Sequence, residues 1–113
     1  MLLGEISELT GAKLLTKEVD LHAQATSCCS CDLLSHVLAH GKEGMAWITI
    51  QAHMNVVAIA VLRQMPCVIV ASGISVPQEV CEKAEEEGIA VFSSEKGAYE
   101  LCGLLHAAGL AGE

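Results

Sequence analysis

Apolar residues fall in short blocks along this chain, and the blocks follow two different periods. Between Gly4 and Gly11, Ile6 and Leu9 recur at helical spacing, and the closing glycine suits a helix end. Lys13 to Thr16 and Ala23 to Ser27 read as short strands, separated by a turn at Glu18 to Leu21. Asp32 is placed to cap a helix over 33–40, which Gly41 stops. Trp47-Ile48-Thr49-Ile50 is a β-rich run and predicts a strand. Asn55 is then expected to cap a helix from Val56 to about Gln64, apolar almost all round and so buried or set in an interface.

Pro66 breaks that helix. Cys67-Val68-Ile69-Val70 is continuously apolar and bounded by Pro66 and by Ser72-Gly73, the pattern of a strand covered on both faces. Pro77 suits the first turn of a helix running to Glu87, with Gly88 at its end. Ala90-Val91-Phe92 predicts a further strand, and Ser93 or Ser94 caps a last helix from about Lys96 to Ala108. Residues Gly109 to Glu113 are expected to fray. From Trp47 onward, strand and helix alternate three times at the spacing of βαβ units with right-handed crossovers. The expected fold is α/β, a small mostly parallel sheet flanked by helices, with residues 1–113 as one domain.

Charge narrows the function classes. The 113 residues carry 6 Lys plus Arg against 14 Asp plus Glu, a formal net charge of −8. Residues 1–63 hold six acids and four bases; residues 64–113 hold eight acids and two bases. A surface this poor in cations has no footprint for nucleic acid or anionic lipid. The longest apolar run, Val56 to Leu62, is too short to span a bilayer, and the first residues reach Glu5 without a basic leader pattern. The expected compartment is the cytoplasm, where the six cysteines stay reduced. Apolar residues make up 52% of the chain, a high share for so small a domain. The surplus lies in the helix at Val56–Leu62 and in the last helix, Ala98–Leu110, and predicts a homodimer.

Ligands of parallel α/β sheets gather at the carboxyl ends of the strands. Here those ends present Gln51 with His53 and Asn55, then Ser72 and Gly73, then Ser93 and Ser94. Free backbone N–H groups at the two serine turns favour an anion, while Gln51, His53 and Asn55 offer hydrogen bonds to a base or carboxylate. The nearest basic residue, Arg63, is a full helix away, and there is no Walker motif or G-x-G-x-x-G. The same serines, glycine and asparagine are also ordinary turn and cap residues.

A second cluster is Cys28, Cys29 and Cys31, followed by His36 and His40 at i and i+4 on one helix face. Thiolates with imidazoles suit zinc or an iron–sulfur centre, which makes a metal or redox accessory protein the alternative reading. CC-x-C is not a zinc-knuckle spacing, and on a strand Cys28 and Cys29 point to opposite sides. No elbow or triad spacing marks a catalytic nucleophile, so a non-catalytic protein is expected. Glu79, Glu82, Glu85, Glu86 and Glu87 read as the solvated face of one helix, locally compensated by Lys83.

Asp32-Leu33-Leu34-Ser35, Glu43-Gly44 leading to Trp47-Ile48-Thr49, and Glu85-Glu86-Glu87-Gly88-Ile89, taken in order, resemble the DRTGG domain. The chain is similar to the stand-alone bacterial members, which carry a Trp-Ile-Thr strand and a His-x-Asn turn, here His53-Met54-Asn55. The resemblance implies a fold like the N-terminal domain of HPr kinase/phosphorylase. It also implies a regulatory theme, because such domains act as modules in some inorganic pyrophosphatases and phosphotransacetylases. It makes an adenine nucleotide the first ligand to consider, and a partner enzyme the reader of the signal. Where the family motif runs Gly-Asp-Arg this chain has Gln51-Ala52-His53, and Ala71-Ser72-Gly73 stands at the Thr-Gly-Gly turn.

Overall fold

A strand as uniformly apolar as Cys67–Val70 is stable only if neighbouring elements cover both of its faces, and both are covered. The computed structural model describes residues 1–112. Its elements are α1 (Leu3–Thr10), β1 (Lys13–Leu14), β2 (Ser27–Ser30), α2 (Leu34–His40) and β3 (Met45–Thr49), then α3 (Met54–Leu62), β4 (Cys67–Val70), α4 (Gln78–Glu86), β5 (Ala90–Ser93) and α5 (Ala98–Ala107). The five strands form one sheet in the order β1-β5-β4-β3-β2. Strands β2 to β5 are mutually parallel, and β1 runs antiparallel along the outer edge of β5. The fold is α/β with a mostly parallel sheet, as the alternation of elements predicted.

The buried residues sort into two layers. One holds Trp47, Val68, Val70 and Val91 of the sheet against Val37 of α2, Val56, Val57 and Ile59 of α3, and Val80 and Ala84 of α4. The other holds Ala46, Ile48, Cys67, Ile69, Ala90 and Phe92 against Leu3 and Ile6 of α1 and Leu101 and Leu105 of α5. Successive side chains of each strand therefore feed opposite layers. On the second face the register aligns Cys28, Ala46, Cys67 and Ala90 as one row of small residues across four strands. The next row on that face aligns Ser30, Ile48, Ile69 and Phe92. The small row lets α5, which packs on β2 and β3, come close to the sheet.

Several local expectations change. The strand read at Ala23–Ser27 lies at Ser27–Ser30, because pairing with Met45–Ile48 sets its register; Gln24 makes only an isolated bridge to Leu2. Three capping assignments fail together. The residues at the cap positions are Leu33, His53 and Gly97, none with a side-chain cap bond, so Asp32, Asn55 and the Ser93–Ser94 pair do not cap. Helix α3 begins at Met54 and is held by the burial of Val56, Val57, Ile59 and Ala60 instead. The expected fraying beyond Gly109 is also corrected: Leu110 is buried, and the Ala111 carbonyl accepts the Cys28 N–H at 2.9 Å. Glu113 lies outside the described residues.

The two apolar helices from which a homodimer is expected lie on opposite faces of the sheet, α3 on one and α5 on the other. The acidic helix is as expected: Lys83 Nζ lies 3.6 Å from Glu86 and 3.2 Å from Glu87 on the exposed side of α4. Among the described residues, no helix is long and apolar enough to cross a membrane.

Because Ala46 sits fully buried in the small-residue row, Ala46→Leu is expected to lower the unfolding free energy by on the order of 2–3 kcal/mol through overpacking. The same change at exposed Ala58 should stay within about 0.5 kcal/mol. Urea unfolding followed by circular dichroism measures both.

Candidate functional site

The carboxyl ends of the parallel strands form two clusters. At the β2 and β3 ends, Asp32 is the organising residue. Its Oδ1 accepts the Thr49 hydroxyl at 2.8 Å and the Ile50 N–H at 2.8 Å. The Gln51 side-chain amide donates back to the Asp32 carbonyl at 3.2 Å, and the Gln51 N–H donates to the Thr49 hydroxyl at 3.1 Å. Just before it, the Trp47 indole N–H donates to the Cys31 carbonyl at 2.8 Å. Asp32 thus ties the end of β2 to the turn after β3, which is why it is unavailable as a helix cap. Gln51 is drawn into the same network, while His53 and Asn55 are exposed at the start of α3.

The ends of β4 and β5 are bound to each other. The Ser72 N–H donates to the Lys96 carbonyl and the Gly73 N–H to the Ser94 carbonyl, each at 2.8 Å. The two N–H groups expected to face an anion are therefore spent on joining the loops. Both residues have positive φ, a conformation that glycine adopts at Gly73 without strain, and a Cβ there would meet only the flexible end of the exposed Glu95 side chain. Ser94 is buried; its N–H donates to the Val70 carbonyl and its hydroxyl accepts the Lys96 N–H at 3.0 Å. It stabilises the turn before α5 rather than capping the helix.

Beside this turn lies a polar crevice of about 360 Å³ lined by Gly11, Lys13, Ser93, Ser94, Glu95 and Lys96. Antiparallel pairing of Lys13 with Ser93 brings the first cation to the end of β5. The second, Lys96, is anchored by its Nζ on the Thr10 carbonyl at 3.0 Å, the open end of α1. The expected isolation of this end from cations is corrected: Arg63 is far off, bonded to the Gly41 carbonyl, but two lysines flank Ser93 and Ser94. Lys96 stands two residues after Ser94 and was legible there; Lys13 arrives only through the antiparallel edge strand. Of the predicted ligand residues, the fold brings Ser93 and Ser94 into one crevice with lysines, sets Ser72 and Gly73 behind it, and leaves Gln51, His53 and Asn55 at the β3 end.

The cysteine cluster is divided by the sheet. Cys28 packs in the α1 and α5 layer and Cys29 in the α2–α4 layer, while Cys31 lies beyond the strand end. His36 and His40 lie with ring centroids 4.5 Å apart and planes tilted by 40°, on the exposed side of α2. Among the described residues, no three His, Cys, Asp or Glu side chains converge as metal ligands. Burial, together with the neighbouring Cys102 and Cys29, pushes the Cys28 thiol from its ordinary 9.0 up to about 12. Burial also raises Cys67. These thiols are neutral packing groups of the small-residue row.

Two outcomes follow from this arrangement. Asp32→Ala should cost on the order of 1–2 kcal/mol, since it strips a charged acceptor from two donors, and Asp32→Asn, which keeps one oxygen, should cost less. Chemical denaturation compares the pair. Cys28 keeps its proton in the folded chain while the unfolded chain loses it above pH 9, so stability is complete below pH 9 and falls from there to about pH 12. Each such thiol contributes a slope of about 1.4 kcal/mol per pH unit in that window. Cys28→Ala should flatten the decline relative to the parent protein by that amount, read from denaturation midpoints across the alkaline range.

Comparison with known proteins agrees with this architecture. In structure, the chain is similar to the CBS and DRTGG domains of the regulatory region of a Clostridium perfringens pyrophosphatase, crystallised with its activator, diadenosine tetraphosphate. The TM-score is 0.75 at 16% sequence identity, over 91% of this chain and 45% of that one, so the likeness shows the fold and spans less than half of the neighbour. No curated protein matches the sequence. The family model of the DRTGG domain matches residues 5–108, and the chain belongs to that family.

Proposed function

We propose that this chain is a non-catalytic regulatory module that senses a small anionic ligand, with an adenine nucleotide as the first candidate, and that it works as a cytoplasmic homodimer. The observation that carries the reading is the crevice at the end of β5, where Lys13 and Lys96 flank Ser93 and Ser94. In a chain of net charge −8, two lysines against one carboxylate, Glu95, at the carboxyl end of a parallel sheet leave this crevice locally positive. Both lysines are tied to the sheet edge: Lys13 is on β1, paired with Ser93, and Lys96 links the β5–α5 turn to the end of α1.

A phosphate oxygen accepting from Lys13 and the Ser93 hydroxyl would compete with the Thr10 carbonyl for the Lys96 ammonium. Ligand binding would then shift the contact between α1 and the β5–α5 turn, and a partner enzyme would read that difference. The family supports the regulatory role, and the pyrophosphatase regulatory region was crystallised with an adenine dinucleotide activator. The cytoplasmic part of the reading rests on a cysteine content that suits a reducing compartment. No resident cofactor enters the reading, and metal analysis of anaerobically purified protein should find zinc and iron well below one per chain.

Isothermal titration with ATP, ADP and AMP at millimolar concentration tests the ligand. Binding is expected for at least one, with Lys13→Ala weakening it by about fivefold or more as a charged donor is lost. Absence of heat with all three removes the adenine nucleotide, and an unchanged affinity in Lys13→Ala removes this crevice.

A further inference from the structure

The geometry points to the outer face of α5 as the surface on which two copies of this chain pair, helix against antiparallel helix, across a two-fold axis at Gly103. Leu101 and Leu105 turn inward and are buried, so the core's demand on α5 is met by one stripe. A second stripe faces outward: Tyr99, 94% exposed, then Gly103, then His106. With Glu100, Cys102 and Leu104 these residues make one open, nearly flat helix face.

Gly103 is the unexplained residue. Glycine inside a helix is unfavourable, and here the backbone is not in the left-handed region that would call for it. Among the described residues, nothing beyond its own stretch of helix lies within 4 Å of where its Cβ would stand. No contact within one copy requires a glycine, whereas close approach of another helix does.

The pattern around the notch matches a second copy. Tyr99 and His106 are seven residues apart, two helical turns, and so lie on the same flank on either side of Gly103. A half-turn about an axis across the helix sets Tyr99 of each copy beside His106 of the other. Two identical ring contacts result, the self-complementarity of an isologous interface. The acid on this face, Glu100, falls on the opposite flank. Glu79, Glu82 and Glu86 of α4, and Glu87 at its end, are on the other side of the sheet, so the contact keeps the most acidic surfaces of two copies apart. A basic partner would be drawn to α4 instead.

This inference rests on the homodimeric part of the proposed function, and light scattering of the full chain at about 100 μM separates the two. The expected mass is twice 11.8 kDa. Gly103→Gln should give monomer, while its melting temperature, measured where both proteins are monomeric, rises by a few degrees because a glycine has left a helix interior. Tyr99→Ala, at a position with no role in the fold, should weaken association by about tenfold or more. Leu62→Glu, at an exposed position of α3, should leave the mass unchanged. A monomeric parent protein overturns both the dimer and this face. A dimer that survives Gly103→Gln and Tyr99→Ala, or that Leu62→Glu dissolves, overturns this face alone.

Discussion

The central strands β3, β4 and β5 are sealed between two helical layers, and this double burial constrains everything else in the molecule. A strand in that position has no face to give to solvent, so each of its side chains must fit one of two cores. Trp47, Val68 and Val91 serve the layer of α2, α3 and α4, while Ala46, Cys67 and Ala90 serve that of α1 and α5. The choice of small residues along one row decides how near α5 can lie. Cys28 and Cys67 belong to that row, so their chemistry is subordinate to their size.

Double burial also pushes polar business to the strand ends, where backbone groups leave the ladder and need partners. Two solutions appear side by side. At β2 and β3 a carboxylate does the joining, with Asp32 bonded to Thr49 and Ile50. At β4 and β5 the main chain joins itself, Ser72 to Lys96 and Gly73 to Ser94. The second arrangement spends the backbone N–H groups within the loops. What this end presents instead is side chains, Lys13 and Lys96 beside Glu95, in a chain of net charge −8.

Strands that must be apolar throughout announce themselves, and Cys67–Val70 was read with its observed limits. The helix punctuation at Gly11 and Gly88 was equally plain, since both have positive φ. The cap signals mislead for a common reason. Asp32, Asn55 and Ser94 are good cap residues in isolation, but Asp32 and Ser94 are committed to neighbouring turns, and α3 gains its stability from burial. The cysteine cluster misled through proximity along the chain, because adjacent residues on a strand stand on opposite sides of it.

What the sequence determined by itself was therefore the α/β class, the parallel core from Trp47 onward and the family, because periodicity and local motifs carry that information over short stretches. The tertiary structure alone decided which sheet face each helix covers, the antiparallel placement of β1, and the placing of Lys13 and Lys96 around one crevice. Each of these is a contact between segments far apart in the chain, set by register and by the two-sided burial of the sheet. No local pattern of residues encodes it.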